Sequence, residues 1–311
     1  MCECDVQQPD LGHAYYIRMK VIGIVLTCAC LAPPTHPATQ PPNRNSDAPN
    51  SASASTGASV SKREWTVDGV VRTVIVCLPP AANRTAQTPL VFCWHGHGGT
   101  AVHSRATAAF EIAWPEAIIV YPQGLKTVSP LVDPEGKKSG WQTAAGNDGD
   151  RDIKLYDAMV DSLRTEYKLD GRHTYSAGHS NGGFFSYLLW QTRGATLAAI
   201  GPVAAAYLKP TADIKPLPVI HVAGKDDPLV KYSWQERTFV NVRAADACTS
   251  EGKPWATEGG LTATLYESSK SAPLVTVIHE GGHEFPKGAT ALITRFFKEH
   301  AQAAVTAPVP K

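Results

Sequence analysis

The chain has 311 residues, 43% hydrophobic and 18% charged, with a formal net charge of +1. That balance excludes a disordered or fibrous polymer and supplies enough apolar mass for one well-buried core. Near-neutral charge without a run of Lys or Arg argues against nucleic acid or any other polyanionic partner.

Taken in chain order, residues 1–32 form an export signal region. Arg18-Met19-Lys20 precedes the short apolar run Val21 to Leu26, and the small residues Thr27, Cys28, Ala29 and Cys30 follow, which is the layout of a cleavable leader. The run is too short for a bilayer span, which takes about 20 residues. Met19 is the expected true start, because the stretch before it is polar. Cys28 and Cys30 are candidate lipid attachment sites, although the approach to Cys28 is a poor lipobox. Residues 33–61 are Pro, Ala, Ser, Thr and Asn with almost no large apolar side chain, so a disordered linker is expected. One domain is expected over 62–301, followed by a flexible tail over 302–311.

Within the domain, strands are predicted at Val70 to Leu78, Pro89 to Trp94 and Ala117 to Tyr121. The spacing of Ile153, Tyr156, Met159, Val160 and Leu163 predicts a helix over Asp152 to Leu163 with one face on a sheet. A strand over His173 to Ala177, a helix from Gly183 to Trp190, and strands at Ala198 to Val203, Pro218 to Gly224 and Leu274 to Ile278 come next. A last helix is expected near Ala289 to His300. Such alternation gives an α/β fold with a doubly wound, mostly parallel sheet.

Chemistry enters at Gly178-His179-Ser180-Asn181-Gly182, a G-x-S-x-G match between a strand-like and a helix-like run. That context suits a nucleophile elbow, whose strained turn exposes the serine hydroxyl. An acid and then a histidine are expected downstream, each on a loop after a strand. Lys225-Asp226-Asp227-Pro228 follows one strand, and His279-Glu280-Gly281-Gly282-His283-Glu284-Phe285-Pro286 opens from another. Pro89 to Trp94 runs into His95-Gly96-His97-Gly98-Gly99-Thr100, a glycine-rich loop that lets main chain approach a substrate oxygen. The backbone N–H groups of His97 and Asn181 are the expected oxyanion donors. Asp226 is a rival to Asp227 as the acid, and His279 a rival to His283 as the base. His95 and the His97 ring are expected to buttress their turn, Asp148 and Asp152 to order loops near Trp141, and Glu284 to be solvated. Trp141 reads equally as a pocket wall or a core aromatic. No His/Cys spacing for a metal is present, and no cofactor is needed.

The blocks His95-Gly96-His97-Gly98-Gly99, Trp141, Asp170 to Gly183, Gly224-Lys225-Asp226-Asp227-Pro228-Leu229-Val230 and Gly281-Gly282-His283-Glu284-Phe285-Pro286 carry a family resemblance. Over roughly residues 65–300 the chain resembles the polyhydroxybutyrate depolymerase and feruloyl esterase group of secreted α/β-hydrolases, similar to carbohydrate esterase family one. The resemblance implies a single-domain α/β-hydrolase fold and a catalytic set of Ser180, Asp227 and His283. It places His97 and Asn181 at the oxyanion hole and Trp141, His179 and Phe285 near the substrate. Relatives often carry a cysteine at the place of His97 and another at that of Gly140, so loss of both implies that one disulfide is absent as a unit. A second family pair is incomplete because Ser269 stands near the place of one partner, which leaves Cys248 a free thiol. The usual tryptophan after the histidine is Phe285 here.

Of the seven cysteines, Cys77, Cys93 and Cys248 fall in the domain, and an odd number cannot all pair internally. Cys77 and Cys93 read as buried hydrophobes. Asn83-Arg84-Thr85 matches a weak glycosylation pattern. The expected function is secreted serine ester hydrolysis through an acyl-enzyme, by a monomer acting on a small or polymeric ester. Feruloyl esters of plant cell walls lead, and hydroxybutyrate oligomers and acetylated xylan are alternatives. An acyltransferase and a non-catalytic carbohydrate-binding protein are the readings of another class.

Overall fold

The computed structural model describes residues 59–301 apart from 131, 208–210, 212 and 213. The export region with Met19, Cys28 and Cys30, residues 33–58 of the linker tract and the tail 302–311 lie outside the described residues.

In chain order the strands are β1 (Ser59–Val67), β2 (Val70–Leu78), β3 (Leu90–Trp94), β4 (Ile118–Pro122), β5 (Leu125–Lys126), β6 (Ser139–Gly140), β7 (Thr174–His179), β8 (Ala199–Val203), β9 (Val219–Gly224), β10 (Lys253–Glu258), β11 (Leu261–Tyr266) and β12 (Leu274–His279). The helices are α1 (Ala101–Ala108), α2 (Phe110–Ala113), α3 (Arg151–Tyr167), α4 (Asn181–Arg193), α5 (Tyr232–Asp246) and α6 (Ala289–Glu299).

β3, β4, β8 and β9 are buried at every position, as apolar runs must be when both faces of a sheet are covered. Successive side chains alternate between two cores. Leu90, Phe92 and Trp94 of β3 pack in the core with α3, α4 and α5, while Val91 and Cys93 pack in the other with α1, α2 and α6. The large sheet has the order β1-β2-β4-β3-β7-β8-β9-β12-β11-β10. From β4 to β12 in that order every neighbouring pair is parallel.

Both edges depart from the parallel pattern. β1 and β2 form an antiparallel hairpin on β4, and β10 and β11 form another on β12. β1 begins at Ser59, so Ser59 to Ser61 belong to the sheet and not to the linker. The pairing that claims them runs from Ser59 opposite Leu78 to Val67 opposite Val70. Its exposed and half-buried positions alternate, leaving no apolar run to mark a strand.

Register brings the carboxyl ends of the parallel strands to one edge. Trp94 lies opposite Gly178, His179 opposite Val203 and His279 opposite Gly224. The loops after β3, β7, β9 and β12 therefore open on the same side, where open α/β sheets bind ligands.

Candidate active site

The turn between β7 and α4 holds Ser180 at φ 53°, ψ −120°, a conformation costly for a residue with a side chain. Two glycines make the turn possible. A Cβ on Gly178 would lie 2.4 Å from the Gly182 carbonyl carbon, and one on Gly182 would lie 2.2 Å from the Trp94 oxygen. Main chain from Ser180 to Val203 closes the turn at 2.8 Å. Ser180 is left half-buried at the head of α4.

The loop after β12 lays His283 over this serine. The Ser180 hydroxyl donates to His283 Nε2 at 2.7 Å, and His283 Nδ1–H donates to Asp227 Oδ2 at 2.8 Å. Asp227 has a fully buried carboxylate. Its Oδ1 accepts the N–H groups of Leu229 and Val230 at 2.9 and 2.8 Å, and Gln235 Nε2 lies 3.3 Å from Oδ2. Asp226 is exposed, and its N–H is spent on the Gly281 carbonyl. His279 accepts the Gly281 N–H through Nδ1 at 3.1 Å, within the turn that carries His283. Glu284 is 53% exposed on the side chain. Of the two acids and the two bases weighed in the sequence, the line through Ser180 contains Asp227 and His283.

On the opposite side, the loop after β3 is held by several short bonds. Gly98 N–H reaches the Ser139 carbonyl at 2.7 Å, and the Ser139 hydroxyl donates to the Gly99 carbonyl at 2.6 Å. His95 Nδ1–H donates to the Gly96 carbonyl, while its Nε2 accepts the Gly124 N–H at 2.9 Å. Burial lowers the His95 imidazole to about 4, which keeps it neutral and its two roles distinct. The His97 ring bonds Asp133 at 3.0 Å, and Asp133 also accepts the Lys138 N–H at 2.7 Å. No hydrogen bond among the described residues uses the backbone N–H of His97 or of Asn181. The Asn181 side chain clamps Trp141, accepting its N–H at 2.6 Å and donating to its carbonyl at 2.9 Å.

Of the two readings of Trp141, pocket wall and core aromatic, the structure shows the core aromatic. It is fully buried, edge-on to Trp94 at 5.0 Å and stacked on Phe185 at 5.7 Å, and its indole N–H donates to the His95 carbonyl at 2.9 Å. A side chain enclosed in that way braces the glycine loop from beneath and does not line a substrate surface. His179 is also engaged elsewhere. Its Nε2–H donates to the His283 carbonyl at 3.2 Å, tying the histidine loop to the elbow, and burial lowers its ring to about 4. Phe285 is half-buried against the core that includes α6.

Below Trp141, the buried Asp152 accepts Gln142 N–H at 2.9 Å and pairs with Arg72 at 2.8 Å. Asp148 lies 3.8 Å from Arg151. A Cβ on Gly140 would come 2.6 Å from His97 Nδ1, so positions 97 and 140 are spatial neighbours. Cys77, Cys93 and Cys248 are all free. Gln235 and Asp133 were not singled out from sequence, since neither sits in a motif.

No family model matches the chain. It is 25% identical over 269 residues to a putative esterase, NocK, of Nocardia uniformis subsp. tsuyamanensis, covering 74% of this chain and 75% of that protein. It is 23% identical over 220 residues to a probable feruloyl esterase C of Aspergillus oryzae, covering 68% of this chain and 76% of the relative. Among solved structures, an acetyl xylan esterase from Aspergillus awamori superposes with a TM-score of 0.59 at 13% identity, covering 76% of this chain and 99% of that one. The fold is that of the α/β-hydrolases, and the chain is similar to the feruloyl and acetylxylan esterases within it.

Proposed function

We propose that this α/β-hydrolase is a serine carboxylic ester hydrolase of the feruloyl esterase kind, acting outside the cytoplasm on plant cell-wall esters. The observation that carries the reading is the unbroken line from the Ser180 hydroxyl through His283 to Asp227, beside two backbone N–H groups without partners among the described residues. His283 takes the serine proton as Oγ attacks the ester carbonyl, and Asp227 holds the ring tautomer and stabilises its cation. The tetrahedral oxyanion is met by the N–H groups of His97 and Asn181, which need no reorganisation because their loops are already tied down. His283 then protonates the leaving alcohol, and water releases the acyl group from Ser180. Apart from the ester and the hydrolytic water, each of these steps uses side chains and main chain already in place.

Similarity to both feruloyl and acetylxylan esterases puts aromatic and acetyl esters first among substrates, with hydroxybutyrate oligomers as the alternative. Export rests on the leader read from sequence, which lies outside the described residues. Among the described residues no helix is long and apolar enough to cross a membrane.

The test is a comparison of kcat/KM on methyl ferulate, acetylated xylan, hydroxybutyrate oligomers and p-nitrophenyl esters of graded chain length. A preference for ferulate over a chain-matched aliphatic ester is expected, and equal rates would remove the aromatic assignment. The Ser180→Ala protein should lose activity by about four orders of magnitude or more. Retention of full activity by that variant would overturn the serine mechanism itself.

A further inference from the structure

Beyond Asp227 the hydrogen-bond line continues into the core through three buried side chains, and donor chemistry sets its direction. Gln235 of α5 is fully buried, with Nε2 at 3.3 Å from Asp227 Oδ2 and 2.8 Å from the Val230 carbonyl. Both neighbours are acceptors, so the amide NH2 must face them and Oε1 must face away. There Oε1 meets His221 Nε2 at 3.1 Å, and an amide oxygen can only accept, so the hydrogen sits on Nε2.

His221 is in β9, completely buried, and burial lowers it to about 4. The ring is therefore neutral, which leaves Nδ1 as an acceptor. The Tyr187 hydroxyl of α4 lies 2.7 Å from Nδ1 and must donate. Every hydrogen from Tyr187 to Asp227 thus points toward the carboxylate.

We propose that Tyr187, His221 and Gln235 are positioning residues that orient and polarise Asp227 from behind, an inference that rests on Ser180, His283 and Asp227 being the reactive line. Three elements converge on the acid in this way: α4, which also presents Asn181 at its first turn, β9, which leads into the acid loop, and α5. Packing holds the chain in register. Tyr207 stacks on Tyr187 at 5.1 Å and 6°, and Phe239 meets the His221 ring edge-on at 5.0 Å. A β9 position facing an otherwise apolar core would be filled at least cost by an aliphatic residue. A buried polar chain that is satisfied at every link is instead rigid and mutually polarised.

The consequence for the reaction has a definite sign. Donation from Gln235 draws charge from Asp227 Oδ2, the oxygen that also accepts His283 Nδ1–H. Weakening that donation makes the carboxylate more basic, so His283 holds its proton to higher pH. Other titratable groups facing these rings are His179, whose ring lies 5.0 Å from that of His283, and Tyr207 and Asp246, which act on Tyr187. None of the relay residues reaches solvent, so substrate binding should be unaffected.

The experiment uses full-chain Tyr187→Phe and Gln235→Met proteins. The first keeps the ring stacked on Tyr207. The second keeps the length of the side chain but cannot donate. His283 is titrated by NMR in the unliganded protein, and kcat and KM for p-nitrophenyl acetate are measured across pH. Both variants should move the His283 midpoint to higher pH, Gln235→Met the more, with kcat at neutral pH down about tenfold for Gln235→Met and KM unchanged. In an Asp227→Asn background Tyr187→Phe should add no shift. An unchanged midpoint and kcat in folded Tyr187→Phe protein, or an equal shift without the Asp227 carboxylate, would overturn the relay; if Gln235→Met does not fold, Tyr187→Phe decides alone. The NMR titration requires no turnover, so failure of the relay is distinguishable from failure of the esterase reading.

Discussion

The two flanks of Ser180 are held by different physics. On the acid side, Asp227 is enclosed and its partners are main-chain N–H groups and neutral polar side chains, so the line is dry and directional. On the oxyanion side, the loop after β3 is tied by main chain to Ser139, by the charged partner Asp133 and by the aromatic floor of Trp141. The first flank fixes charge and the second fixes shape. Substitutions on the acid side should therefore act on rate and its pH dependence, while those on the oxyanion side should act on stability and rate together.

The largest break in this contrast is expected from Asp227→Asn. It should lower kcat by about 10⁴-fold with little loss of melting temperature, whereas Asp226→Asn, at an exposed site, should change kcat by no more than about twofold. Equal losses at both positions in a standard ester assay would erase the distinction between buried acid and solvated neighbour. Trp141→Ala probes the other flank. Removing a fully buried indole should cost about 3–5 kcal/mol in chemical denaturation and reduce kcat, because the His95 carbonyl loses the indole N–H and the glycine loop its floor. Unchanged stability with a raised KM would instead return Trp141 to the substrate surface.

A smaller and graded effect comes from pH. Each flank contains a buried neutral histidine, His95 on the oxyanion side and His221 on the acid side, both lowered from 6.5 to about 4. The unfolded chain takes up these protons first. The stability that the two histidines contribute is therefore complete above pH 6.5 and is lost as pH falls toward 4. Asp246, raised by burial from 3.8 to about 8, acts in the opposite sense, since its carboxylate ionises in the unfolded chain first and stability declines as pH rises toward 8. Melting temperature should peak between these limits. Asp246→Asn should flatten the alkaline slope and steepen the rise from pH 4 to 6.5, over which Asp246 opposes the histidines. A melting temperature that is flat from pH 4 to 6.5 would contradict the neutral burial of both histidines.

Much of this architecture is written locally, and the parts that are not have identifiable reasons. β3, β4, β8 and β9 are short apolar runs because both faces are covered, and such runs stand out against Gly- and Pro-rich loops. The elbow is legible because only glycine fits at 178 and 182. β10 and β11 are mostly exposed or half-buried and carry no apolar run, although Gly259-Gly260, both at positive φ, is the two-residue turn that joins antiparallel strands. α5 carries few apolar residues at helical spacing, since Gln235 and Thr238 take buried places that an apolar pattern would assign to aliphatics. Trp141 could not be sorted between wall and core without knowing what covers it. The chain from Tyr187 to Gln235 has no local signature at all, because α4, β9 and α5 contribute one residue each.

The most direct test of the central claim is covalent labelling by diethyl p-nitrophenyl phosphate, followed by peptide mass spectrometry and by the rate of p-nitrophenol release. A single adduct on Ser180 is expected, formed rapidly in the native protein, absent in Ser180→Ala and slowed by orders of magnitude in His283→Ala. An adduct at another residue, or a labelling rate indifferent to His283, would contradict a serine activated by that imidazole.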